Sequence, residues 1–141
     1  MRIILLAAAS MSLASCSGAV AATPDSNNPA HCLAAFNYDA YWFRVGHEPE
    51  KVAEYLARGL YLLAKVKSAG GSPASVLAES RQFSREHVKN DKEMDALSLA
   101  CGSGLAHDAQ FRAEFADYIE KARPLVPEYQ TLTAGVGTPT P

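Results

Sequence analysis

Three dipeptides divide the chain: Asn28-Pro29, Glu48-Pro49 and Ser72-Pro73. Each sets a polar residue before a proline, at the head of a run with apolar side chains every three or four positions. A polar N-cap satisfies an orphan backbone N–H, and proline fits the first helical position because its missing N–H has no partner there anyway. The pattern predicts α-helices from Pro29 to about Val45, from Pro49 to about Ser68 and from Pro73 to about Lys89. Gly46 and Gly70-Gly71 stand where a left-handed residue ends a helix. Asn90-Asp91 marks a break, and a fourth helix continues to Cys101, with Gly102-Ser103-Gly104 read as its stop. Asp108 caps a fifth helix, which Pro124 closes. No stretch alternates with period two, so no sheet is expected. The starts recur, but the sequences after them are not alike, so they are not a repeat.

The apolar positions say which faces are buried. Val52, Leu56, Leu60 and Leu63 form a stripe on the second helix, widened by Tyr55, Leu62 and Val66. Glu54, Arg58, Tyr61 and Lys65 fall on the other side, with Glu54 and Arg58 at a favourable four-residue spacing. Val76, Ser80, Phe83 and His87 share a weaker stripe on the third helix. Met94, Leu97 and Cys101 share one on the fourth, and Phe111, Phe115, Tyr118, Ile119 and Ala122 one on the fifth. Such faces must cover each other, and the expected fold is all-α, a small four- to five-helix bundle. The first helix is apolar all round, with Cys32, Phe36, Ala40 and Phe43 on one side and Ala34, Tyr38, Tyr41, Trp42 and Val45 on the other. A helix of that kind is normally enclosed by its neighbours. The alternative is that Tyr38, Tyr41 and Trp42 form a binding patch, because Tyr and Trp anchor interfaces.

The first residues read as an address. Arg2 precedes the apolar run Ile3-Ile4-Leu5-Leu6-Ala7-Ala8-Ala9, which fades into small residues, as in a bacterial signal peptide over 1–22. Two cleavage sites compete. Ala19-Val20-Ala21 is an A-x-A site. Leu13-Ala14-Ser15-Cys16 resembles the lipobox of bacterial lipoproteins, which implies a leader of 1–15, lipidation at Cys16 and anchorage to a membrane. Ser17 after that cysteine leans, in those proteins, towards the outer membrane. A polar tether follows over 23–28, then the helical domain over 29–124 and an extended or disordered tail over 125–141. Either cleavage removes Cys16 from the thiol pool and leaves Cys32 and Cys101. In an oxidising compartment an even pair predicts a disulfide.

Catalytic patterns fail when read residue by residue. His47-Glu48-Pro49-Glu50-Lys51 begins like a zinc-protease helix, but Lys51 occupies the second histidine's place and Pro49 interrupts the turn. His31, His47, His87 and His107 are widely spaced. His47 and His107 read as surface turn residues and His87 as a satisfied structural imidazole. His31 and Cys32, being adjacent on a helix, do not face each other. Gly102-Ser103-Gly104 lacks the preceding strand of a phosphate loop, and His107 stands where its third glycine would be. Asp91, Glu93 and Asp95, mixed with Lys89 and Lys92, read as a solvated first turn. No catalytic residue, metal site or cofactor is assigned. The 13 basic residues against 15 acidic ones give a net charge of −2, without the basic stripe that nucleic acid requires. The expectation is an exported, non-catalytic binding module whose partner is an envelope protein or a small ligand. A second expectation is a stress chaperone, because in outline the domain is similar to small periplasmic acid-stress chaperones, helical and with one long-range disulfide. A third is a small enzyme.

Overall fold

A computed structural model of the chain describes residues 21–129. Positions 1–20, which hold Cys16 and all but the last two residues of the 1–22 leader, and positions 130–141 lie outside the described residues. Five helices follow in order: α1 (Pro29–Val45), α2 (Pro49–Ser68), α3 (Pro73–His87), α4 (Asp91–His107) and α5 (Ala109–Ala122), then a short 3-10 turn (Arg123–Leu125). Among the described residues there is no strand, and no helix is long and apolar enough to cross a membrane.

Of the three polar residues set before proline, Asn28 and Ser72 cap their helices, while Glu48 makes no side-chain cap hydrogen bond. Asn28 Oδ1 accepts from the Ala30 N–H at 2.8 Å, and Ser72 Oγ from the Ser75 N–H at 3.3 Å. Gly70, at φ +80°, ends α2, and the Gly71 N–H closes onto the Val66 carbonyl at 2.9 Å. At the end of α1 the expectation for Gly46 is corrected. Gly46 stays right-handed at φ −73°, and His47 takes the left-handed position at φ 59°. The cause is a shift of one residue: the Gly46 N–H still bonds Trp42 O in helical register, and the Glu48 N–H closes the turn onto Phe43 O.

The predicted stop at Gly102-Ser103-Gly104 is also corrected, because α4 runs through it to His107. Helical glycine costs about 1 kcal/mol relative to alanine, and the buried Cys101 and Leu105 on that last stretch outweigh it. The stop is Asp108, extended at ψ 114°, whose Oδ1 accepts from the Gln110 and Phe111 N–H groups and so caps α5. Similarly, the chain after Pro124 is not extended where it is described. It remains helical over 126–129, and Val126 is buried against α2 because Val52, Ala53 and Ala57 leave an apolar recess there.

Helix α1 is central and packs on α2, α3 and α4, while α5 covers α2. Its first half is sealed on every side, from Ala30 to Phe36. A Cβ at Gly59 of α2 would lie 2.8 Å from Leu33 Cδ1, so the bare glycine is what lets α2 lie so close to α1. The main core joins Phe36, Tyr61, Phe83, Met94, Leu97 and Phe111 around a Cys32–Cys101 disulfide. The two Cα atoms are 5.6 Å apart across 69 residues of sequence, so the predicted pairing is formed. Tyr61 departs from its predicted polar face and is only 2% exposed. Its ring sits edge-on to Phe111 and Tyr118, and its hydroxyl donates to Asp108 Oδ2 at 2.8 Å.

Candidate functional site

Helices α1 and α4 run antiparallel, tied by Cys32–Cys101 and Tyr38–Asp91, and a charged group of α1 stands where they meet α2. Asp39 is the one acidic residue of α1. With Tyr55 and Arg58 of α2 and Asp95, Ser98 and Leu99 of α4, it lines an open cleft of about 530 Å³. Ser98 is buried, and its hydroxyl donates a short hydrogen bond to Asp39 Oδ2. The Arg58 guanidinium lies 4.3 Å over the Tyr55 ring and 5.6 Å from that of Phe36. Tyr55 is itself stacked on Phe43. The predicted Glu54–Arg58 pair does not form. Glu54 is taken by Lys51 at 3.0 Å, which leaves Arg58 to the aromatic rings.

Burial pushes the Asp39 carboxyl above its ordinary range, and the Ser98 hydrogen bond opposes that rise. The charge of Asp95 raises it further, and that of Arg58 lowers it. The cleft therefore holds a half-buried carboxylate, a second carboxylate and a guanidinium within one electrostatic neighbourhood. The pair Ser98–Asp39 has no imidazole between its members to take the serine proton, and the histidines stand elsewhere. The cleft presents these groups to a charged or hydrogen-bonding ligand beside an apolar edge supplied by Leu99, which is 78% exposed.

The three aromatic residues read as a patch do not share one exposure. Tyr38 is 8% exposed, and its hydroxyl donates to Asp91 Oδ1 at 2.6 Å. Burial first, and that hydrogen bond second, push it up to about 12. Tyr41 is half-buried, with the Arg44 guanidinium 4.9 Å from its ring. Trp42 is 38% exposed and meets both tyrosine rings edge-on. It follows Asp39 by three residues, on the same face of α1.

The acidic turn Asp91, Glu93 and Asp95 is not merely solvated. Asp91 receives Tyr38, Glu93 lies 2.6 Å from His87 Nδ1, and Asp95 lines the cleft. His87 is only half satisfied, because its buried Nε2 has no partner among the described residues. His47 is exposed in its turn, and His107 is exposed at the end of α4, its Nδ1 2.7 Å from Ser103 O. Among the described residues no cluster of His, Cys, Asp and Glu is arranged to hold a metal ion. Sequence reasoning missed Asp39, Arg58 and Ser98 as one group. The available signal was a lone carboxylate inside an otherwise apolar helix. Comparison with known proteins finds no family model, no curated protein and no solved structure that matches this chain.

Proposed function

We propose that this chain is an exported, non-catalytic binding module of the bacterial envelope, held to a membrane through a lipid on Cys16. In this reading it engages an envelope protein through the cleft between α1, α2 and α4. The observation that carries the reading is Leu99, 78% exposed on the lip of a cleft whose wall bears the half-buried Asp39. An apolar edge beside a few placed polar groups is how binding surfaces combine affinity with orientation. Trp42 and Arg58 belong to the residue types that dominate interface energies. A photo-crosslinker at position 99 should trap one dominant envelope protein, and Leu99→Glu and Trp42→Ala should each cut capture at least tenfold with unchanged helical circular dichroism. Capture that both variants leave intact overturns the assignment of this surface. The intact mass of the native protein reads the lipid on Cys16 separately.

A second reading, an acid-responsive chaperone, is favoured by one observation. His31 and His87, both buried, are stacked on Phe83 with ring centroids 4.1 Å away in each case. Dye binding and protection of a denaturing client at low pH test it, and no response to acid removes it.

A further inference from the structure

The segment that leads into α1 is fastened to the bundle by titratable acceptors. The Ala22 N–H donates to Glu86 Oε2 at 3.3 Å, the Asp25 N–H to His31 Nδ1 at 3.1 Å, and Asn28 Nδ2 to Glu79 Oε1 at 2.7 Å. Between these points the Ser26 carbonyl oxygen lies 3.2 Å from Cys32 Sγ. Ser26 forms one wall of a cleft of about 480 Å³ that Phe36, Leu62, Leu105 and both disulfide cysteines also line. The segment thus lies along the side of the core at the disulfide.

His31 is the central fastening, and its proton inventory is fixed by its partner. A backbone N–H can only donate, so Nδ1 must carry its lone pair, and the ring is neutral with its proton on Nε2. A second proton can go only to Nδ1. There it turns the acceptor into a donor aimed at another donor, and the bond to Asp25 is lost. Imidazole is the side chain whose charge changes between about pH 5 and 8. Carboxylates in general protonate below that range, and the hydrogen bonds from Gln82 and Ala22 hold Glu86 lower still. The histidine fastening is therefore the first to fail as pH falls.

We propose that residues 23–27 form an acid-released strap, latched by neutral His31 between anchors at Ala22 and Asn28, and freed from the disulfide side of the bundle when that ring takes its second proton. The groups that face the latch agree with this sign. Asp25 is on the strap itself, and Glu79 of α3 lies 3.8 Å from His31 Nε2, where it gives the imidazolium a partner on its other nitrogen. Behind Phe83 stands His87, whose Nδ1 is 2.6 Å from Glu93 of α4. Among the described residues no ion pair reaches either ring from α2 or α5. Release removes the Ser26 wall and widens access to the apolar side chains around the disulfide. The proposal rests on neither functional reading above.

The test is the backbone order of residues 23–27 in the full chain, followed by NMR relaxation from pH 7.5 to 5. Order parameters near 0.85 mark rigid backbone and values below about 0.6 mark flexible segments. The strap should pass from the first to the second while α1 to α5 stay rigid. His31→Asn places a carbonyl oxygen where Nδ1 stood, an acceptor at every pH, and should keep the strap ordered at pH 5. A strap that stays ordered to pH 5 in the unaltered chain overturns the proposal, as does equal loosening in His31→Asn. Should that variant not fold, the unaltered chain still decides: the loosening midpoint must coincide with titration of the His31 ring. A midpoint that follows His87 or the carboxylates overturns the latch.

Discussion

Asp39 shows how a single side chain departs from what its neighbours in sequence suggest. It sits among Phe36, Ala40 and Phe43, all apolar, and a helix of that composition reads as core. What makes the charge tolerable comes from elsewhere: a hydroxyl from Ser98 and a guanidinium from Arg58. Neither is predictable without the packing of α4 and α2 on α1. Because burial raises the Asp39 carboxyl above 3.8, the folded chain binds that proton more readily than the unfolded one. Stability attributable to this group then falls as pH rises from the ordinary carboxylate value through the raised one. An asparagine at this position keeps an oxygen for Ser98 and discards the charge. Asp39→Asn should therefore be more stable at pH 7, by on the order of 0.5 kcal/mol after solvent screening, with the gain fading below about pH 4. Ser98→Ala should do the opposite and cost about 1–2 kcal/mol by stripping a donor from a carboxylate. Urea unfolding at pH 7 and 3.5 checks both, and a destabilised Asp39→Asn would contradict this account of the charge. Tyr38 carries a related lesson, since only the fold reveals that its hydroxyl is spent on Asp91.

Helix starts were readable because capping is local chemistry: Asn28, Ser72, Asn90 and Asp108 each accept from a backbone N–H within their own first turn. Ends were less readable, because an end depends on whether the next turn has something to bury. Gly102 and Gly104 have low helical propensity, yet Leu105 beyond them reaches the core and α4 continues. The same reasoning explains Tyr61. Periodicity set it among charged residues, but the α5 aromatics Phe111 and Tyr118 lie on that side and enclose it. Apolar stripes locate a face only where one partner covers the helix, and α2 is covered on two sides, by α1 and α5. If α4 is a true helix through its glycines, then Gly104→Ala should stabilise the protein. Its added Cβ meets nothing within 4 Å, and alanine is favoured over glycine in a helix interior by about 0.5–1 kcal/mol. A matching rise in the urea midpoint is expected. A fall would mean that the backbone at this position does not hold helical geometry.

One long-range covalent tie spans the bundle, and it was legible from cysteine arithmetic: with Cys16 removed by lipidation or by excision, two cysteines remain. The cleft was not legible, because its members come from α1, α2 and α4 and no spacing in the sequence links them. The tie has a calculable consequence. Closing about 70 residues into a loop removes unfolded-chain entropy worth roughly 4 kcal/mol, against a net stability of about 5–15 kcal/mol for a domain. In the folded state, α1 and α4 are also joined by Tyr38–Asp91 and Asp39–Ser98, so cutting the sulfur bridge need not separate the helices. The Cys32→Ser, Cys101→Ser chain should accordingly keep its helical signal in water and unfold at a much lower urea concentration. Because the freed chain opens further when it unfolds, the steepness of the transition should rise as the midpoint falls. That combination is specific to a constraint acting on the unfolded ensemble. A midpoint that falls with unchanged steepness would instead place the effect in native packing around the sulfurs, and an unmoved midpoint would deny the bridge any part in stability.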